Sequence, residues 1–348
     1  MSRQYLTFPI DTPPPEGQPQ EIFPGIYWLR MPLPFSLNHI NLWILEDEDG
    51  WTLIDTGIGS VACMDIWQQV MQEFTQKKPF HRVIVTHFHP DHVGLAGWLC
   101  QVWQVPLYMS RTDYIMGRIL AADQSCEAPV TATEFYAAAG LSPAQLDHFK
   151  AKYGGYSKLV KPLPEQYQRL QDGHIIEMAG HNWQIIVGTG HAPEHITFFC
   201  ADLNLYISGD QLLPSISSNV SVWPTEPNGN PLQDWLDSCE KLHHLLPRDV
   251  LVLPAHERPF QGAHPRLLEL QDDHQQGLSK LLEACQKPKR VVDLFGSLFK
   301  RKVDNAVLTF AVGETIAHLN LLLTKGKLQR TTDAHGVHWY QQTQVPPP

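Results

Sequence analysis

The chain is short of cationic charge, and that shortage narrows what it does. Of its 348 residues, 26 are Lys or Arg against 36 Asp or Glu, a formal net charge of -10. A protein built to coat nucleic acid neutralises phosphates with clustered Lys and Arg, so this balance weighs against that role for the body of the chain. Long hydrophobic runs are missing too. Charge or proline interrupts every apolar stretch within about ten residues, too short for a bilayer span, and no membrane association is expected. The amino-terminal segment MSRQYLTFPIDTPPPEGQPQ lacks the apolar core of a secretory leader, which makes the cytoplasm the expected compartment. No C-x-x-C pair occurs among Cys63, Cys100, Cys126, Cys200, Cys239 and Cys285. They are expected to be reduced and mostly buried, and to form neither a disulfide frame nor a thiolate metal site. There is no G-x-S-x-G elbow for a serine nucleophile and no Gly-rich phosphate loop. What is plentiful is histidine, the commonest metal ligand, with 18 copies.

A length of 348 residues exceeds what one core usually absorbs, so a large domain with a small appended one is expected. The proline-rich start reads as a flexible arm over 1–20. From Gly25 the pattern is strand-like (GIYWLRMP, HINLWILE, WTLIDTG), with Asp49-Gly50 marking a hairpin. A helix is predicted from Ser60, its N-cap, to about Gln76, and another from about Gly94 to Gln104. Between them RVIVT reads as a β-branched strand ending at HFHPDH. Residues 111–155 read as a helical insert, with Ser142 and Pro143 opening one helix. Strands return over 174–210 and again at DVLVLPAH, with helices at 232–246 and near 264–285. The body is therefore expected to cover 21–285. Beyond it, over 286–348, come a basic run (Lys287, Lys289, Arg290, Lys300, Arg301, Lys302), two apolar-periodic segments and a hairpin over Ala334-His335-Gly336. Helices followed by a hairpin resemble a small winged-helix unit.

The chemistry is concentrated in THFHPDH, which places His87, His89, Asp91 and His92 within six residues directly after a strand. In extended chain, residues two apart point the same way, so His87 and His89 can reach one metal. Asp91 and His92, past Pro90, turn toward a second. Imidazole and carboxylate donors suit zinc and similar divalent ions. A lone histidine is more often an ordinary core or surface residue, but four ligand-type side chains in so short a stretch are not.

H-x-H-x-D-H resembles the hallmark of the metallo-β-lactamase superfamily, and further motifs of that family follow its order. LIDTG (53–57), GTGHAPEH (188–195), ISGD (207–210) and LPAHE (253–257) all match, over roughly residues 25–260. The resemblance implies an α/β fold, a four-layer αββα sandwich. It assigns His87, His89 and His191 to a first metal, Asp91, His92 and His256 to a second, and Asp210 to both as a bridge. It implies that Asp55 hydrogen-bonds a ligand and fixes its direction, though Asp55 also reads as a turn-stabilising residue before Gly57. His195 reads as metal-adjacent, substrate-facing or structural. Two zinc ions are implied, with iron or manganese also suited to a His/Asp set. Metals about 3.5–4 Å apart hold a hydroxide between them as nucleophile, and Asp91 would orient it or receive its proton.

The bond cleaved is less determined, because fold does not choose among thioesters, lactones, β-lactams and phosphodiesters. The seven-ligand set resembles glyoxalase II-type thioesterases and the nucleases of the superfamily, whereas zinc β-lactamases commonly carry cysteine where this chain has Asp210. The insert holds Tyr114, Phe135, Tyr136, Phe149 and Tyr153, which suits a lid over a small, partly apolar acyl substrate. The basic glutathione-binding residues of true glyoxalase II are not identifiable. QLLPSISSNVSVWP (211–224) resembles a subgroup with a winged-helix extension, one branch of which cleaves RNA. The expectation is a hydrolase of a thioester or related acyl ester. One alternative is a phosphodiesterase or endoribonuclease of the same superfamily; another is a nucleic-acid-binding module on an inert body.

Overall fold

The run HINLWILE is apolar on both faces, which a strand tolerates only when both sides of its sheet are covered. In a computed structural model of the chain, which describes residues 5–35, 37–123, 125 and 127–343, that run is a central strand. Seven strands pair in chain order to form the first sheet. They are β1 (Gln20–Phe23), β2 (Ile26–Pro32), β3 (His39–Glu46), β4 (Trp51–Ile54), β5 (Phe80–Ile84), β6 (Leu107–Met109) and β7 (Gln168–Arg169). Pairing is antiparallel from β1 to β4 and parallel from β4 to β7. The second sheet holds β8 (Ile175–Met178), β9 (His181–Gly188), β10 (His195–Cys200), β11 (Leu205–Gly209) and β12 (Leu251–Pro254), in the order β12-β11-β10-β9-β8.

Side chains alternate between two cores with the period of two that strands impose. Trp28 and Trp43, paired across β2 and β3 with ring centroids 6.0 Å apart, face the second sheet with Ile26, Leu45, Ile54, Ile84, Trp183, Phe198 and Ile207. Leu29, Met31, Leu42, Leu53 and Val83 point the other way, onto Cys63, Trp67, Val70 and Phe74 of the helix Val61–Phe74. Ser60 caps that helix by accepting from Cys63 N–H, as its sequence position predicts. Two facing sheets, with helices packed on the outer face of the first, match the expected α/β sandwich. Cys63, Cys100, Cys200, Cys239 and Cys285 are free and buried, and Cys126 lies outside the described residues. Among the described residues, no helix is long and apolar enough to cross a membrane.

Three expectations change. The described part of the proline-rich start, from Tyr5, is not loose. Thr7 and Gln261 exchange backbone hydrogen bonds, Gly17 N–H donates to Arg30 O at 2.9 Å, and Leu6 and Pro14 are buried. The helix expected from Gly94 begins only at Ala96, after a separate turn at Pro90–Val93. Gly94, between the two, sits where a Cβ would lie 2.4 Å from Pro90 O and 2.6 Å from Gly57 O, a close backbone approach that only glycine permits. Finally, the expected helical insert is divided between two compact units. The helix Arg111–Ala122 belongs to the first, Met1–Gln124, Gly155–Ser218 and His243–Arg266, which holds both sheets.

The second unit comprises Ser125–Gly154, Asn219–Leu242 and Leu267–Pro348. Tyr136 and Phe149 pack at 4.5 Å between centroids, and Val292 N–H donates to Ala139 O at 3.3 Å, which ties residues 125–154 to the C-terminal segment. The unit also contains the largely buried helix Leu308–Thr324 and the hairpin of β13 (Leu328–Thr332) and β14 (His338–Gln342). Asp333 stabilises the hairpin turn by accepting from the N–H groups of His335 and Val337.

Candidate metal centre

Strand ends from both sheets supply the cluster. β4 and β5 lie parallel with Ile54 opposite Ile84, so Asp55 and the segment from Val85 to His92 leave the first sheet side by side. In the second sheet, His195 pairs with Gly188 and Gly209 pairs with Pro254, which brings His191, His195, Asp210 and His256 to one edge. Ile196 N–H donates to Thr86 O at 2.8 Å, joining the two sheets at this point. Ligands at the ends of packed strands are held by the scaffold rather than by a loop.

Two groups of donors form. His87, His89, His191 and Asp210 bring one ligand atom each within 4.8 Å of one another, and Asp91, His92 and His256 do the same. Asp210 reaches both. Its Oδ2 lies 3.3 Å from His191 Nε2, while its Oδ1 lies 3.2 Å from His256 Nε2 and 3.5 Å from His92 Nε2. Asp91 Oδ2 is 3.5 Å from His256 Nε2 and 3.7 Å from His92 Nε2. His87 Nε2 and His89 Nδ1 converge at 2.9 Å. His92 Nε2 and Asp210 Oδ1 are buried with no hydrogen-bond partner, a costly state that a shared cation relieves. All seven residues fit divalent metal binding by donor type.

The other nitrogen of each second-group imidazole is committed. His92 Nδ1 donates to Asp55 Oδ2 at 2.8 Å, and His256 Nδ1 donates to the His39 carbonyl at 2.9 Å. Both bonds turn Nε2 toward the site, as ligand histidines require. Asp55 also accepts from the Thr86 N–H at 2.8 Å and from its hydroxyl. His195 is buried and stacked on His87 at 4.5 Å, and its Nε2 accepts from Asp210 N–H at 3.1 Å. It therefore holds the backbone of Asp210 and is not among the two donor groups.

The electrostatics divide the histidines. Burial and neighbouring imidazoles hold His87 well below the ordinary range, and burial with His191 brings His89 down to about 3. Burial also opposes charge on His92 and His256. For His92, the carboxylates of Asp55, Asp210 and Asp91 outweigh it and push the pKa well up; for His256, Asp210 and Asp91 push it to about 10. Against burial, His92 and His256 hold Asp91 down to about 2. The carboxylates of Asp55, Asp91 and Asp210 thus draw positive charge into this cluster. A divalent cation competes with protons for the same nitrogens, because a ligand imidazole must be neutral.

Every site residue expected from the sequence is brought here. Two contributors were not anticipated: Thr86, whose hydroxyl and N–H anchor Asp55, and His39, whose carbonyl directs His256. Thr86 begins THFHPDH and its position beside the motif was visible; nothing in the sequence announces His39.

The chain matches the metallo-beta-lactamase superfamily over residues 36–256 and the metallo-beta-lactamase-like C-terminal domain over 278–343. A solved beta-lactamase domain protein from Burkholderia ambifaria is 40% identical, with a TM-score of 0.90, covering 97% of this chain and 98% of that one. A probable metallo-hydrolase of Bacillus subtilis is 23% identical over 84% of this chain and 91% of its own length. An acyl-coenzyme A thioesterase of Homo sapiens is 22% identical over 72% of this chain and 84% of its own length. With the superfamily match spanning most of the chain and the strand-end cluster of histidines and aspartates in place, this protein belongs to the metallo-beta-lactamase superfamily of metal-dependent hydrolases.

Proposed function

We propose that the chain is a binuclear metal-dependent hydrolase, with zinc the first choice of metal and iron or manganese also compatible, acting on a thioester or related acyl ester. The observation that carries this reading is the span of Asp210, whose two carboxylate oxygens face different donor groups at 3.3 Å and 3.2 Å. His87, His89 and His191 would hold one ion, and Asp91, His92 and His256 the other, with Asp210 shared. Such a pair of ions, when bound, supplies a nucleophile at neutral pH and takes up charge developing on the substrate oxygen.

The residues of the chain do the rest. Asp91, whose carboxylate is partly exposed beside His92 and His256, would orient the attacking water or receive its proton. Asp55 and the His39 carbonyl keep the second-group imidazoles aimed, so they need not reorganise during turnover. The choice of acyl substrate is supported by the human relative, which acts on acyl-coenzyme A thioesters. Metal-reconstituted protein should be assayed against thioesters, lactones, phosphodiesters and RNA. Thioesters should turn over fastest; preferential cleavage of RNA or another phosphodiester would replace this substrate assignment.

A further inference from the structure

One buried carboxylate outside both donor groups touches the loops that carry them. Asp113, the third residue of the helix Arg111–Ala122, is completely buried. An acid at this position of a helix usually serves its own N-terminus. Here it does not. Its Oδ1 accepts from Phe88 N–H at 3.1 Å, and its Oδ2 accepts from Glu194 N–H at 2.8 Å and from the Ser110 hydroxyl at 3.2 Å. Glu194 answers in kind, its Oε2 accepting from Thr112 N–H at 2.6 Å. Phe88 lies between His87 and His89, and Glu194 precedes His195. The far side of the Phe88 residue is held as well, because Tyr156 OH donates to Phe88 O at 2.5 Å.

We infer that Asp113 is a positioning residue of the three-histidine group, pinning the His87–His89 loop to the loop that bears His191 and leads into β10 at His195, with Tyr156 completing the hold on Phe88. The inference rests on the proposed reading that these histidines bind metal. The physical case is the cost of the arrangement. A buried carboxylate is expensive, and burial pushes this one up to about 6 even though three neutral donors oppose the shift. Local helix capping does not require this, since Glu194 already serves Thr112. What the carboxylate achieves is to tie together two backbone segments that converge on the same ion. His87 Nε2 and His89 Nδ1 stand 2.9 Å apart, so a modest turn of the intervening Phe88 peptide misdirects both.

Asp113→Asn tests this, because an amide is nearly isosteric but presents NH2 to one of the two backbone donors. Cobalt(II) titration, followed by visible absorption, reads the two donor groups without relying on turnover. Wild-type protein should bind two ions. Asp113→Asn should weaken the three-histidine site by about 10–100-fold and leave the Asp91, His92 and His256 site near wild type. Tyr156→Phe, which removes one hydroxyl only, should shift the same site in the same direction by less, and it carries the test alone if Asp113→Asn does not fold. Unchanged affinities in the variants, or equal weakening of both sites, overturns the positioning role. A wild-type chain that takes up no metal would instead sink the proposed function, and this inference with it.

Discussion

His92 Nδ1 donates to Asp55 Oδ2 at 2.8 Å, and Asp55 holds this position from a left-handed backbone conformation with φ 62. Asn tolerates that conformation nearly as well as Asp, so Asp55→Asn isolates the side-chain effect. The variant should fold, and its second-group metal affinity should fall by about 10–100-fold. Chelator competition measures this; wild-type affinity would show that Asp55 merely shapes its turn.

Gly209→Ala should be poorly tolerated. The residue has φ 51, and a Cβ there would lie 2.4 Å from His195 Cε1. His195 cannot step aside, being buried and stacked on His87. Overpacking of this kind costs about 1–3 kcal/mol, before any strain at positive φ. Thermal unfolding should show a lowered Tm with reduced metal content, and a wild-type Tm with full metal content would contradict the close packing.

Asp91→Asn addresses proton transfer. Loss of a general base lowers kcat by about 10²–10⁴-fold, while KM should change little, because the interaction matters mainly in the transition state. Steady-state kinetics on protein of verified metal content decides it. Near-wild-type turnover would remove Asp91 from that role.

The second unit carries a pH effect of its own. Burial pushes the Glu314 carboxyl from 4.5 up to about 7, against a hydrogen bond from Asn219 Nδ2 at 2.9 Å. His318, one turn further along the helix, and His274 beside it are pushed down to about 4 and about 3, so neither offers a counter-charge above pH 5 or so. The sign follows: the unfolded chain releases this proton first, so stability falls as pH rises from about 4.5 to about 7 and stays lower above. Glu314→Gln keeps an acceptor for Asn219 and should raise Tm at pH 8 while leaving it nearly unchanged at pH 4.5. Equal Tm shifts at both pH values would contradict this.

The legibility of the site followed sequence distance. His87, His89, Asp91 and His92 declare themselves because one strand end carries them all. His191, Asp210 and His256 each stand alone in sequence, and only resemblance to a family joined them to the cluster. Thr86, His39 and Asp113 act through main-chain atoms, such as the His39 carbonyl that receives His256 Nδ1–H, and residue type does not reveal such contacts. The two-sheet fold was readable from strands buried on both faces. The division of 111–155 between units was not, since it depends on distant partners such as Val292, whose N–H reaches Ala139 O. Proline near the start suggested looseness, but the decisive feature is the backbone exchange between Thr7 and Gln261.

The central claim is that one carboxylate serves two ions. Elemental analysis of zinc-reconstituted, dialysed protein tests it most directly, with the Asp210→Ala variant in parallel and circular dichroism confirming that both are folded. Two metals per chain in the wild type, falling to one or fewer in Asp210→Ala, is the predicted result. One metal per chain in fully active wild-type protein, or two retained without Asp210, would contradict it.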